Sequence, residues 1–502
     1  MATLTTDMIL SKDNLKNINI PGLQMPDTAI FDLPEKVLQF GTGVLLRGLP
    51  DYYIDKANRR GVFNGRIVVV KSTDKGGTTD FDKQDNLYTI HSKGFENSQE
   101  INEDVICSSI SRVLSAGNDW AEILEVAKSP DLQIILSNTT EVGIQLVEES
   151  IQNVPLSYPG KLLAVLYERY KAFNGAAGSG LIIVPTELIV DNGTKLKTIT
   201  IELAKYNKLE PVFINWLENE NSFCNSLVDR IVPGKPEKDM AAELEAKRGY
   251  IDNLHIMSET YSLWAIEGDE KVAKVLSFRN VDKGVIVTPD IELFRELKLR
   301  LLNGSHTLSC ALAYLSGFET VKEAMDDEKF SSFITRLVYD EIIQSIEHKV
   351  NPYLAAEFAG KVLDRFRNPF IRHEWLSISV QYSSKMKMRI IPLILSHYQK
   401  NNMVPQYMAL GFACFIRFMK VDKINDIYTG SINGMPYTVT DNQALNFHKA
   451  WEAENVNLVV KNILSDKYLW DTDLTMLPGF EEAVLHNLNK IMASGLIEFA
   501  TV

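Results

Sequence analysis

Residues 36–44 read Lys36-Val-Leu-Gln-Phe40-Gly41-Thr-Gly43-Val44, and residues 66–70 read Arg66-Ile-Val-Val-Val70. The first stretch is a short apolar run that passes directly into two glycines. Val44 to Arg60 then carries helix-like spacing, punctuated at its end by Gly61 and Gly65. The second stretch is β-branched and continuously apolar, as in strands buried on both faces of a parallel sheet. Strand, glycine turn, helix and strand in this order predict a βαβ unit. Further apolar runs, Gln133–Leu136 and Leu181–Val184, end in polar residues, Ser137-Asn-Thr-Thr-Glu141 and Thr186-Glu187. The N-terminal part is therefore expected to be α/β, a doubly wound domain of Rossmann type.

From about Pro289 the periodicity changes. Helical spacing dominates at Ile291–Leu315, Lys329–Glu347, Pro352–Arg367, Met388–Gln399, Gln406–Met419, Ala444–Val459 and Gly479–Ser494. Candidate strands are scarce there. The expected organisation is a dinucleotide-binding α/β domain over 1–285, followed by a mostly α-helical substrate and catalytic domain over 286–502.

A chain of 502 residues is too long for one core, and 45% hydrophobic with 23% charged residues is ordinary globular composition. A formal net charge of -13 argues against nucleic acid or an anionic membrane as partner. It leaves room for a local cationic cluster that holds one small anion. The four cysteines, Cys107, Cys224, Cys310 and Cys414, form no CxxC pair and suit a reducing, cytoplasmic compartment. The first residues show no secretory pattern, and no run approaches the roughly 18 apolar residues of a membrane helix. Oligomeric state is not legible.

In a dinucleotide-binding turn the first glycine allows the sharp bend and the second lets main chain approach the pyrophosphate, beside the helix N-terminus. Gly41 and Gly43 fit both roles, although Leu46 occupies the third glycine position. A plain strand-to-helix turn fits the same residues. The second strand ends Val70-Lys71-Ser72-Thr73-Asp74, without an acid at its tip to hold a ribose 2′-OH. Asp74 is the only nearby carboxylate, and Lys71 would suit a 2′-phosphate. NAD is the expected cofactor, with NADP left open.

The segment Lys298-Leu-Arg300-Leu-Leu-Asn303-Gly304-Ser305-His306 carries the chemistry. At about 100° per residue Asn303 and His306 share a helix face, and Lys298 lies roughly 80° round from His306. Asn303-Gly304 are poor helix formers in mid-helix, which suggests close approach to a ligand or another backbone. A lysine whose pKa is lowered by burial or by cations such as Arg300 can give and take a proton near neutrality. Asn303 would donate to a developing oxyanion, and His306 would orient the oxygen or the lysine. The alternative is an amphipathic helix with solvated cations and a core histidine.

Lys298-x4-Asn303-x2-His306 resembles the signature of the polyol-specific long-chain dehydrogenases, the mannitol dehydrogenase family. Further matches follow in family order: Phe40-Gly-Thr-Gly43-Val-Leu-Leu-Arg47, Asp85-Asn-Leu-Tyr-Thr89, Ser137-Asn-Thr-Thr-Glu141, Asp191-Asn192-Gly193, Val228-Asp229-Arg230-Ile231-Val-Pro233, Arg365-Phe-Arg-Asn368-Pro369-Phe-Ile-Arg-His373 and Lys385 to Arg389. The resemblance covers about residues 36 to 400. It implies a Rossmann-type domain, a largely helical second domain and metal-independent hydride chemistry.

Mannitol and mannonate (fructuronate) members carry an F-H-R-A-H-type continuation after the glycine loop, whereas this chain reads Leu45-Leu-Arg47-Gly-Leu49. Its wording is nearest to the members that reversibly reduce tagaturonate to altronate with NADH. A sugar-acid substrate is thus implied, with the polyol and mannonate activities as alternatives. The resemblance assigns Lys298, Asn303 and His306 to catalysis. Cofactor contacts are expected at Gly41, Gly43, Val44, Leu45, Asp74, Thr139, Thr140 and Glu141, and substrate contacts at Asn192, Asp229, Arg365, His373 and Lys385. A substrate carboxylate invites Arg47, Arg300, Arg365, Lys385 or Arg389, each of which would serve equally in an ion pair. The family's C-D-N stretch reads Thr186-Glu187-Leu188 here. Leu188 cannot donate, which leaves Asn303, alone or with Asn192, for the oxyanion.

The eight histidines show no HxxxH spacing, so no zinc set is expected. Tyr52/Lys56 and Tyr167/Lys171 match the Tyr-x3-Lys spacing of short-chain dehydrogenases only by chance. A protein that merely binds NAD(P) would be free to lose Lys298 while keeping the glycine turn.

Overall fold

The computed structural model describes residues 8–72, 77–96, 99–139 and 143–494. The chain divides into two compact units, one of Met1–Gly94 with Glu100–Ile291 and one of Phe95–Gln99 with Glu292–Val502.

The first unit is built on six parallel strands: β1 (Glu35–Phe40), β2 (Arg66–Lys71), β3 (Ile110–Ser115), β4 (Ile134–Ser137), β5 (Ile182–Pro185) and β6 (Ser222–Phe223). Their spatial order is β3-β2-β1-β4-β5-β6, the doubly wound Rossmann arrangement. Strand periodicity of two distributes the apolar residues between two cores. Val37, Ile67, Val69, Ile134 and Leu136 face one, while Leu38, Phe40, Val68, Val70 and Ile135 face the other. At about 1.5–3 kcal/mol for each fully buried aliphatic side chain, this alternation fixes the register. Two smaller sheets complete the unit. In one of them Leu263–Glu267 is the middle strand, between Ser226–Asp229 and Val285–Thr288.

The single helix read over Val44 to Arg60 is two, α1 (Val44–Gly48) and α2 (Pro50–Arg59). Pro50 has no N–H to continue a helix and starts the second one, with Leu49 at φ -130° between them.

In α2 the carboxyl of Asp51 is fully buried. Its Oδ2 accepts from Gln39 Nε2 and Tyr88 Oη, each at 3.4 Å, while Oδ1 has no partner among the described residues. Burial pushes its pKa up to about 7, opposed by the Gln39 hydrogen bond and the Arg47 charge.

The second unit is mainly helical. Helix α3 (Ser305–Leu315) is buried all round from Ser305 to Ala313, as a central core helix must be. It packs on α4 (Gln406–Phe418), which packs on α5 (Phe480–Ser494). The stretch read as one helix over Ala444–Val459 is two, Ala444–Ala450 and Val456–Ser465, because Asn455 accepts from Leu458 N and caps the second. A three-stranded antiparallel sheet, β7 (Val421–Ile424), β8 (Ile427–Ile432) and β9 (Met435–Thr438), interrupts the helices. Its two-residue turns are Asn425-Asp426 and Asn433-Gly434, all four at positive φ. No helix among the described residues is long and apolar enough to cross a membrane.

Two outcomes follow. Gly41 has φ +128°, and a Cβ there would lie 2.9 Å from Leu46 Cδ1 and 3.2 Å from Asn138 O; Gly41→Ala is expected to lower stability by about 1–3 kcal/mol in denaturant unfolding. For Asp51, the folded pKa is raised, so the folded state keeps a proton that the unfolded chain releases above its ordinary value. Its contribution is therefore favourable at low pH and is lost as pH rises through 7. Asp51→Asn should remove this dependence, gaining on the order of 2 kcal/mol relative to the parent between pH 5 and pH 8. Parallel stability curves for the two proteins would exclude it.

Candidate active site

In the first unit the glycine turn stands where the strand order reverses, at the end of β1. Gly41 N donates to Val70 O at 3.0 Å, tying the turn to β2. Leu46, at the third glycine position, fills the space beneath Gly41. Gly43 is the N-cap of α1 and offers no side chain, so the first N–H groups of the helix are left for another acceptor. A Cβ at Gly43 would meet nothing within 4 Å, and Val44 and Leu45 are half-buried beside it. An open cradle backed by main-chain donors suits a pyrophosphate.

Thr139 is turned inward: its N and Oγ1 both reach Glu187 Oε1, at 2.8 and 3.0 Å, and Ser137 Oγ donates to Glu187 Oε2. Asp74, Thr140 and Glu141 lie outside the described residues.

Asn192 is buried and engaged by main chain. Its Nδ2 donates to the carbonyls of Pro185, Glu187 and Ser226, and its Oδ1 accepts from Gly193 N and Ser226 N. Both N–H bonds and the oxygen are used, so no donor remains for an oxyanion. Gly193 follows because a Cβ there would lie 2.4 Å from the Cys224 main chain. This motif is a joint between β5 and the strand Ser226–Asp229. Asp229 is buried at the end of that strand. Arg230 donates to the carbonyls of Gly48 and Glu259 and to Ser92 Oγ.

Arg47 and Arg300 are likewise structural. Arg47 is buried, donates to Leu254 O and lies over the rings of Phe81 and Tyr88. Arg300 pairs with Glu296 at 3.3 Å and gives Nη1 to the carbonyls of Met388 and Arg389, at 2.9 and 2.8 Å. Its charge is therefore partnered by a carboxylate.

In the second unit Lys298 and Asn303 lie in a π-helical segment, Leu297–Gly304, between Glu292–Glu296 and α3. Hydrogen bonds from i to i+5 stack residues five apart, which brings Lys298 and Asn303 onto one face. The α-helical angles inferred from the sequence do not apply here. The trace of this segment in the sequence is Asn303-Gly304, the poor helix formers. A Cβ on Gly304 would make only ordinary contacts with neighbouring protein atoms, the nearest at 3.5 Å from Leu393. Another π segment, Met386–Ile390, packs against this one, and the sequence reading took each as α-helical.

His306, buried at the start of α3, stacks on Phe366 with centroids 4.0 Å apart and meets His373 edge-on at 5.1 Å. Its Nε2 has no partner among the described residues. Burial holds its pKa well below the ordinary histidine range, and His373, Arg365, Arg389 and Lys385 add to the depression. A neutral imidazole with an unused nitrogen can accept or donate to a substrate hydroxyl. His373 is lowered by burial and by Arg365 and Lys385. Lys385 donates to Ile378 O at 2.7 Å and is lowered by burial and by Arg389. The structure thus gathers His306, His373, Arg365 and Lys385 into one electrostatic cluster.

Two family models match the chain: the mannitol dehydrogenase Rossmann domain over residues 35–279 and the mannitol dehydrogenase C-terminal domain over residues 290–492. The chain is 37% identical to an altronate oxidoreductase of Halalkalibacterium halodurans over 476 residues, covering 92% of each protein. It is 35% identical to the altronate oxidoreductase of Bacillus subtilis, covering 92% of this chain and 94% of the relative. Two solved structures share the fold. Substrate-free D-sorbitol dehydrogenase has a TM-score of 0.79 at 19% identity, covering 97% of this chain and 99% of its own. Pseudomonas fluorescens mannitol 2-dehydrogenase, in ternary complex with NAD and D-mannitol, has a TM-score of 0.68 at 22% identity, covering 97% and 98%.

Asn192→Ala is expected to lower stability by about 2–4 kcal/mol, since it strands buried carbonyls of β5 and Ser226. At a temperature where the variant is folded, kcat should stay within about threefold. A large kcat defect in a protein of parental stability would return Asn192 to the chemistry.

Proposed function

The chain belongs to the mannitol dehydrogenase family, and from that premise we propose that it interconverts tagaturonate and altronate with NAD(H). The observation that carries the substrate is the near full-length match to altronate oxidoreductases at 35–37% identity. The Gly41-Thr-Gly43 turn and the first turn of α1 would hold the pyrophosphate, with Val44 and Leu45 beside it. When bound, NADH supplies the hydride to the carbonyl carbon, and NAD accepts it in the reverse direction.

The chain's own residues manage the proton. Lys298 Nζ gives a proton to the carbonyl oxygen as the alcohol forms, and takes it back in oxidation. Asn303, on the same face of the π-helical segment, donates its amide N–H to that oxygen as charge develops. His306, neutral and rigidly stacked on Phe366, positions a neighbouring hydroxyl through Nε2. Because Phe366 stacks on the face of the ring and His373 meets it edge-on, the orientation is preorganised. Arg365, His373, Lys385 and Asp229 are proposed substrate contacts. Asn303 serves without Asn192.

Purified protein should oxidise NADH in the presence of tagaturonate, faster than with fructuronate or fructose, and faster than with NADPH. Lys298→Ala is expected to lower kcat by about 100- to 10,000-fold while cofactor affinity changes less than about tenfold. Retained turnover would remove Lys298 from its role; a preference for fructose would replace the sugar acid with a neutral sugar.

A further inference from the structure

We propose that Arg389, seconded by Lys385, receives the substrate's carboxylate and is the residue that separates sugar acids from neutral polyols. The inference rests on the sugar-acid reading above and assigns its charged end to a place.

Two of the five candidate cations, Arg47 and Arg300, are already spent on main-chain carbonyls and aromatic faces. Lys385 immediately precedes the π segment Met386–Ile390, and Arg389 lies within it four positions on. Burial lowers both pKa values, that of Arg389 to about 10, and the Arg389 charge further lowers that of Lys385. Two like charges thus share a half-buried place. Among the described residues neither is within ion-pair distance of a carboxylate. The acid that acts on Lys385, Asp441, has its oxygens engaged by Ser383 N, Ser383 Oγ and Gln443 N. Unpaired buried charge is unfavourable, and an anion is what such a pair lacks.

The guanidinium is also aimed. Arg389 Nη1 donates to Thr307 Oγ1 at 3.1 Å and to Asn303 O at 3.4 Å, and Thr307 Oγ1 in turn donates to Asn303 O. One nitrogen is therefore fixed to the segment that carries Lys298, Asn303 and His306. The other N–H groups keep the fork that matches a carboxylate in two parallel hydrogen bonds. Because the anchor is Asn303's own carbonyl, the carboxylate is placed relative to the proton-exchanging group. A sugar acid would be held by its end and its reacting carbon at once, whereas a neutral polyol would offer the guanidinium only a hydroxymethyl.

The test compares the full-length parent with Arg389→Gln and Arg389→Lys, using tagaturonate and fructuronate for KM and kcat. It also uses altronate against altritol, its neutral counterpart, for binding in the presence of NAD. Arg389→Gln should raise KM for tagaturonate by about 10- to 100-fold while kcat falls by less, and should erase the parent's preference for altronate over altritol. Arg389→Lys should fall between, keeping charge without the fork. Melting temperature and NAD affinity near the parent's mark a recognition effect; if Arg389→Gln does not fold, the Lys variant's KM decides. An unmoved tagaturonate KM in a folded variant overturns the assignment and leaves the activity standing. A parent that ignores tagaturonate but turns over fructuronate overturns the substrate reading. In that case Arg389 is judged on the fructuronate KM.

Discussion

Arg300 leaves one π-helical segment and gives a single nitrogen to two carbonyls of another, those of Met388 and Arg389. Widened turns leave main-chain carbonyls poorly served by their own helix, and a buried guanidinium backed by Glu296 satisfies them. That fastening sets the two segments against each other, and so sets Lys298, Asn303, Lys385 and Arg389 in one frame. His306 begins the next helix without a break in the chain, and its ring is clamped by Phe366 and His373. The catalytic and recognition groups of the second unit thus derive their spacing from main-chain geometry, with side chains pinned to it.

The first unit is organised by a different constraint, the two-residue repeat of buried strands. Each of β1, β2 and β4 sends alternate side chains to two separate cores, so a slip of one residue would exchange the faces. Gly41 then bends the chain over Leu46, which leaves the following glycine exposed. The polar residues beneath, Gln39, Asp51 and Tyr88, are the cost of bringing the turn's carbonyl close to the core, and burial pushes the pKa of Asp51 up to about 7.

Much of this was legible in residue order. The Rossmann-type unit followed from Val37–Phe40, Gly41 and the Arg66–Val70 run, because buried parallel strands have a composition of their own. The helical second unit followed from 3.6-residue spacing. What escaped did so for identifiable reasons. The π segments look α-helical in composition, since their difference lies in hydrogen-bond register and leaves only the mild trace of Asn303-Gly304. The β7–β9 sheet was announced by Asn425-Asp426 and Asn433-Gly434, turn pairs outweighed by the surrounding helical pattern. Pro50 as a helix start was readable and was passed over. The roles of Arg47, Arg300 and Asn192 were not readable, because whether a buried polar group is spent on its own main chain depends on tertiary contacts far away in the sequence.

The Asn192-Gly193 joint has a consequence for how relatives are compared. Its five hydrogen bonds and its glycine wedge serve the seam between two strands, so selection for folding alone is enough to preserve the pair. Ancestry would therefore keep these letters in descendants that consume quite different sugars. Grouping such proteins by this motif would sort them by carpentry, while their diet is written elsewhere.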